Sequence, residues 1–170
     1  MTTRSVEAIV LALTAADARY LIVGGLAVVA HGFVRFTADL DLVLDPSTDA
    51  LRRAVAALAG LGYRPRAPVA FEEFADPEKC GEWMREKGLT VFSLFSPEHE
   101  ATEVDLFVEP PFEFETAYSR AVRLELAPGV PASFVALEDL ISMKRSAGRP
   151  QDLQDVAQLQ SRPEEGEGSR

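Results

Sequence analysis

Two short segments, Asp39-Leu40-Asp41-Leu42 and Glu103-Val104-Asp105-Leu106, alternate acidic and apolar residues, and they limit the possible folds more than any other feature. Strict alternation marks a strand with one buried and one open face. Residues i and i+2 of a strand share a face about 6–7 Å apart, so Asp39 and Asp41 point one way and Leu40, Leu42 and Leu44 the other. The second segment sets Glu103, Asp105 and Phe107 against Val104, Leu106 and Val108. If the strands are neighbours, about 4.8 Å apart, Asp105 joins Asp39 and Asp41. Three ionised carboxylates in such a cluster repel, and a divalent cation removes the penalty. Ligation by oxygen alone favours magnesium or manganese. The plainer reading is that the acid rows are the solvated face of an amphipathic sheet.

The residues upstream change that balance. Tyr20 to Val23 reads as a buried strand ending at Gly24-Gly25, and Leu26 to His31 as a short helix closed by Gly32. Amides at a helix start, unshielded by side chains, suit an anion such as phosphate. A glycine pair alone is equally a tight strand-to-helix turn. A phosphate cradle a short helix and a loop before Asp-x-Asp is the more specific combination.

Helical spacing predicts an opening helix through Val6, Ile9, Val10 and Leu13, and another through Leu51, Val55, Leu58 and Leu61 with Ser47 or Thr48 as N-cap. Arg64 to Gly88, with Pro65, Pro68 and Pro77, reads as a loop with a short helix near Trp83. Leu89–Phe95 and Glu103–Val108 are predicted strands joined around His99. Ala121–Leu126 is a further edge strand before a Pro128-Gly129 turn. Leu137–Ala147 and Asp152–Leu159 are closing helices. Residues 1–160 read as one domain and 161–170 as a flexible acidic tail.

The 170 residues carry a formal net charge of -10, which disfavours non-specific coating of nucleic acid. No apolar run reaches the roughly 20 residues of a membrane span, and no secretory cleavage site is evident, so a cytoplasmic protein is expected. Cys80 is the single cysteine and has no internal disulfide partner.

The run Gly24-Gly25, His31-Gly32, Arg35, Thr37 and Asp39-Leu40-Asp41-Leu42, with Asp105 as third acid, resembles the polymerase-beta-like nucleotidyltransferase superfamily. Leu140-Ile141-Ser142-Met143-Lys144 with Gly148-Arg149-Pro150-Gln151-Asp152-Leu153 is similar to the closing helices of its AbiEii-like branch, which includes toxin–antitoxin enzymes. Gly-Gly stands where much of the superfamily has Gly-Ser, as it does in that branch. The resemblance implies an α/β (α+β) nucleotidyltransferase fold, a mixed, mostly antiparallel sheet flanked by helices.

It also implies transfer of a nucleoside monophosphate from a nucleoside triphosphate to a hydroxyl of RNA, protein or a small molecule (tRNA ends or a protein target in a toxin-like setting), with two magnesium or manganese ions. Asp39, Asp41 and Asp105 would be the catalytic, metal-binding acids, and Gly24, Gly25, Arg35, Thr37 and Lys144 the nucleotide-binding residues. An antitoxin or toxin partner protein is expected in such a setting. The other readings are a regulatory partner that binds nucleotide without turnover, and a metal-dependent phosphohydrolase. Lys144 otherwise reads as a solvated helix residue and His31 as a helix-end residue. Arg149, Asp152 and Asp155 read as a structural charge network. Trp83, Phe71 and Phe74 read as core before base-stacking groups.

Overall fold

The computed structural model describes residues 1–161, so all but the first residue of the expected tail lies outside the described residues. Alternating apolar residues build one seven-stranded sheet in the order β3-β4-β5-β2-β1-β7-β6. The strands are β1 (Tyr20–Ile22), β2 (Asp39–Leu44), β3 (Arg64–Pro65), β4 (Val91–Phe95), β5 (Glu103–Phe107), β6 (Val122–Ala127) and β7 (Val130–Phe134). Pairs β2–β5 and β1–β7 run parallel; β1–β2, β3–β4, β4–β5 and β6–β7 run antiparallel. The sheet is therefore mixed and mostly antiparallel, as expected.

On the face away from Asp39 and Asp41, Leu40, Leu42, Val104, Leu106, Phe92 and Leu94 are at most 1% exposed. A buried Leu, Val or Phe contributes about 1.5–3 kcal/mol. A one-residue slip would turn the acids of β2 into that core, so the register is held firmly. Helix α1 (Thr3–Ala15) adds Val6, Ile9, Val10 and Leu13, and α3 (Thr48–Gly60) adds Ala54, Val55 and Leu58. Helix α2 (Gly24–Ala30) packs on β2 and against α6 (Leu137–Ala147), which pairs with α7 (Pro150–Gln160).

Four local readings are corrected. The 64–88 stretch holds β3, a 3-10 turn at Phe71–Ala75 and the three-turn helix α4 (Pro77–Lys87). Its Pro77 is a helix-start residue, and the Asp76 side chain accepts from the Glu78 and Lys79 amides. Helix α5 (Phe114–Ser119) was not expected; the Glu113 carboxylate caps it by accepting from the Glu115 and Thr116 amides. Strand β7 escaped notice because Pro131, Ala132 and Ser133 have little strand character, yet Ala132, Ser133 and Phe134 are buried between β1 and β6. Ser47 occupies the start of α3 without a side-chain cap; its amide instead donates to Asp45 Oδ1 at 2.9 Å.

Trp83 lies in the core, stacked on Phe92 at 5.2 Å with Phe74 at 5.1 Å from the same ring. His31 ends α2, buried, with Nε2 2.9 Å from the Val135 carbonyl.

Candidate active site

The parallel pairing of β2 with β5 sets Asp39 opposite Glu103 and Asp41 opposite Asp105. Partnered residues share a face, so the four acids form a block two strands wide and two residues deep. Glu103 is the one with a cation: Arg66 donates to both its oxygens, its guanidinium also lying 5.4 Å from the Phe95 ring centroid. Burial, then the charges of Asp105 and Asp39, push the Asp41 carboxyl up to about 6. A backbone hydrogen bond from Gly25 and the charge of Lys144 oppose this more weakly. Asp39 is raised by burial and by Asp105 and Glu103.

The glycine pair is packed against this block. Gly24 has φ +63, and a Cβ there would sit 1.9 Å from Asp41 Oδ2. On Gly25 a Cβ would lie 2.6 Å from Thr37 Oγ1 and 3.2 Å from Arg35 NH1. The need for glycine thus follows first from contact with Asp41, Thr37 and Arg35. Thr37 donates its hydroxyl to the Asp39 carbonyl at 3.2 Å, fixing the approach to β2.

Opposite the acids stand cations held by α7. Lys144, only 5% exposed, donates to Asp155 Oδ2 at 2.6 Å and Asp152 Oδ1 at 3.3 Å. The solvated-face reading of Lys144 is thereby corrected: α6 turns it inward. Arg149 Nε donates to Asp152 Oδ2 at 2.7 Å, and Arg35 NH1 to Asp155 Oδ2 at 2.8 Å. Burial raises the Asp152 carboxyl, but the Arg149 hydrogen bond and the Lys144 charge outweigh it and hold the group below the usual range. Arg35 Nε is buried without a hydrogen-bond partner. Such a donor costs about 1–3 kcal/mol unless a ligand satisfies it.

One cleft of about 580 Å³ contains all of this. Gly24, Gly25, Arg35, Thr37, Asp39, Asp41, Asp105 and Lys144 line it together. Residues not singled out as site residues from the sequence also line it, among them Thr90, Val91, Phe107, Pro111, Leu140, Met143 and Gln151. Parity was the usable signal for two of them, since Val91 pairs with Phe107 and Phe107 shares the face of Asp105. Among the described residues no three His, Cys, Asp or Glu side chains converge as a ready-made metal cage. The donor chemistry nevertheless fits a hard divalent ion: carboxylate oxygens that repel one another, two of them with raised pKa.

The mixed sheet with its flanking helices is a fold that solved structures share. The lincosamide antibiotic adenylyltransferase LnuA, lincomycin-bound, superposes with a TM-score of 0.53 at 15% identity, over 85% of this chain and 87% of its own. ANT(2")-Ia, in complex with adenylyl-2"-tobramycin, gives 0.55 at 15% identity, over 92% of this chain and 86% of its own. At such identity the likeness speaks for the fold. Residues 4–160 match the model of the family described as nucleotidyltransferase of unknown function (DUF6036), and the chain belongs to that family. No curated protein matches it significantly in sequence. Among the described residues no helix is long and apolar enough to cross a membrane.

Proposed function

We propose that this nucleotidyltransferase moves a nucleoside monophosphate from a nucleoside triphosphate to a small-molecule hydroxyl, with Asp39, Asp41 and Asp105 as its metal-binding acids. The observation that carries the reading is the register of Asp41 with Asp105, next to Asp39 and facing Arg35 and Lys144 across one cleft. Asp39 and Asp41 would hold two magnesium or manganese ions, with Asp105 completing the set. When bound, the ions offset triphosphate charge and lower the pKa of the acceptor hydroxyl.

The chain's own residues supply the rest. Arg35 and Lys144, which line the cleft with the acids, would offset the charge of the phosphates. Asp105 takes the acceptor proton as its oxygen attacks the α-phosphorus; the bond to the β-phosphate breaks and pyrophosphate leaves. Val91, Phe107 and Pro111 give the cleft an apolar side on which a ring can rest.

A small acceptor is favoured over RNA by the distribution of arginines. Arg52 pairs with Asp49 and Arg53 donates to the Asp17 carbonyl, and neither lines the cleft. The cleft's lining cations are Arg35, Lys144 and Arg149, each already bonded to an aspartate. The bound antibiotics of the two structural neighbours agree with this choice. A toxin–antitoxin setting rests on the AbiEii-like resemblance alone.

Calorimetric titration of the four ribonucleoside triphosphates with magnesium, on wild type and on Asp39→Asn/Asp41→Asn, tests the site. Metal-dependent binding by wild type that the double variant loses is the expected result. A wild type that binds none of the four sinks the reading and leaves the regulatory-partner alternative.

A further inference from the structure

We propose that Asp155 is a positioning residue for triphosphate binding, holding two cations from distant parts of the chain at the phosphate end of the cleft. The inference rests on the nucleotide reading above. Asp155 is 2% exposed and contacts no part of the acid block in its hydrogen bonding; both of its bonds go to cations. One comes from Lys144, 11 residues away on α6, the other from Arg35, 120 residues away on the approach to β2.

That approach needs an anchor. Between Gly32 and Asp39 the chain presents Val34 and Phe36 to solvent at 100% and 89% exposure, so apolar burial of these two side chains does not hold it. It is tied to the body by the Phe33 side chain packed on the core, the Phe33 amide on the Val28 carbonyl, Thr37 on the Asp39 carbonyl, and Arg35 on Asp155. Among the described residues the last is its hydrogen bond to the C-terminal helices. The bond uses NH1, the guanidinium nitrogen that lies next to Gly25, so the tie to Asp155 sets where this cation stands beside the glycine turn.

An acid in an anion site looks counterproductive, and that makes the proposal testable by sign. If Asp155 acted only through its charge, its removal would strengthen binding of a triphosphate. If it acts by aiming Arg35 and Lys144, removal weakens binding although the cleft becomes more positive.

Asp155→Asn is titrated with the magnesium nucleoside triphosphate that wild type binds best and with the matching monophosphate. The expected result is a loss of triphosphate affinity of about tenfold or more, the scale of a charge-assisted hydrogen bond, with monophosphate affinity little changed. A general folding defect would lower both, or lower the number of binding sites. Arg35→Gln, at a side chain 22% exposed, serves as the second variant. It should reproduce much of the loss alone and add little in the Asp155→Asn background. Triphosphate affinity unchanged or increased in Asp155→Asn overturns the proposal, as does full additivity with Arg35→Gln. If wild type binds no triphosphate, the nucleotide reading itself fails and takes this one with it.

Discussion

On one wall of the cleft Asp39, Asp41 and Asp105 stand on two neighbouring strands, and among the described residues none is bonded to a cationic side chain. On the other wall Arg35, Lys144 and Arg149 are each bonded to Asp152 or Asp155. The first wall keeps its charge unspent, and the raised Asp41 carboxyl is the local sign of it. The second wall has spent most of its charge internally and gained fixed positions. An uncompensated wall calls for a cation from outside; a compensated wall can orient a ligand without needing one to stay folded. Removing a charge should therefore harm function alone on the first wall, and should touch the frame as well as ligand placement on the second.

The largest expected effect is on the acid wall. Asp105→Asn should lower kcat/KM by at least about 10³-fold, because several kcal/mol of charge stabilisation are lost together. Its unfolding midpoint in urea should stay at or above that of wild type, since the charge that raises Asp39 and Asp41 is gone. Steady-state transfer assays with a radiolabelled donor check the first part. Activity within tenfold of wild type would remove Asp105 from the centre and break the comparison at its root.

Next in size is the cation wall. Lys144→Ala leaves Asp152 and Asp155 buried with one partner fewer each. Breaking a buried pair from one side typically costs about 3–5 kcal/mol, since the remaining charge is uncompensated. Arg149 and Arg35 keep hold of the two acids, which places the expectation at the lower end. Equilibrium unfolding in urea reads it directly. A loss under about 1 kcal/mol would mean that Lys144 contributes little to the frame.

The walls also differed in how far the sequence revealed them. Acid alternation in β2 and β5 is a local, period-two pattern, so which side chains share a face followed from spacing alone. That β5 lies beside β2 came from the resemblance, because strand order is not a local property. The network of Arg149, Asp152 and Asp155 was legible as helix-spaced charges. Lys144 was not legible as buried, since i, i+3 and i+4 spacing does not say which neighbour covers a helix face. Arg35 reaching Asp155 across 120 residues had no local signal at all. In the 64–88 stretch the start signals Asp76-Pro77 and the stop at Gly88 were present, but three prolines nearby obscured a helix with a buried tryptophan.

The smallest effect sharpens the comparison most, because its sign is unusual for a site residue. Burial first, then Asp105 and Asp39, raise the Asp41 carboxyl above the usual carboxylate range, to about 6. A carboxyl raised in the folded state binds its proton more tightly there than in the unfolded chain. Its contribution to stability is thus fully present below about pH 4 and is lost as pH rises through about 6. At neutral pH the metal-free protein carries the cost of an ionised Asp41 among like charges, and Asp41→Asn removes that charge. Asp41→Asn should accordingly be more stable than wild type by about 1–3 kcal/mol at pH 7.5 in a chelator, with the gain shrinking towards pH 4.5. The Gly25 amide bonded to this carboxylate sets the main opposing term, since an amide side chain accepts less strongly. Thermal or urea unfolding of both proteins across that pH range decides it. A gain that grows with pH locates the strain at the acid wall, whereas a variant less stable at every pH would show that the carboxylate there is already compensated within the protein.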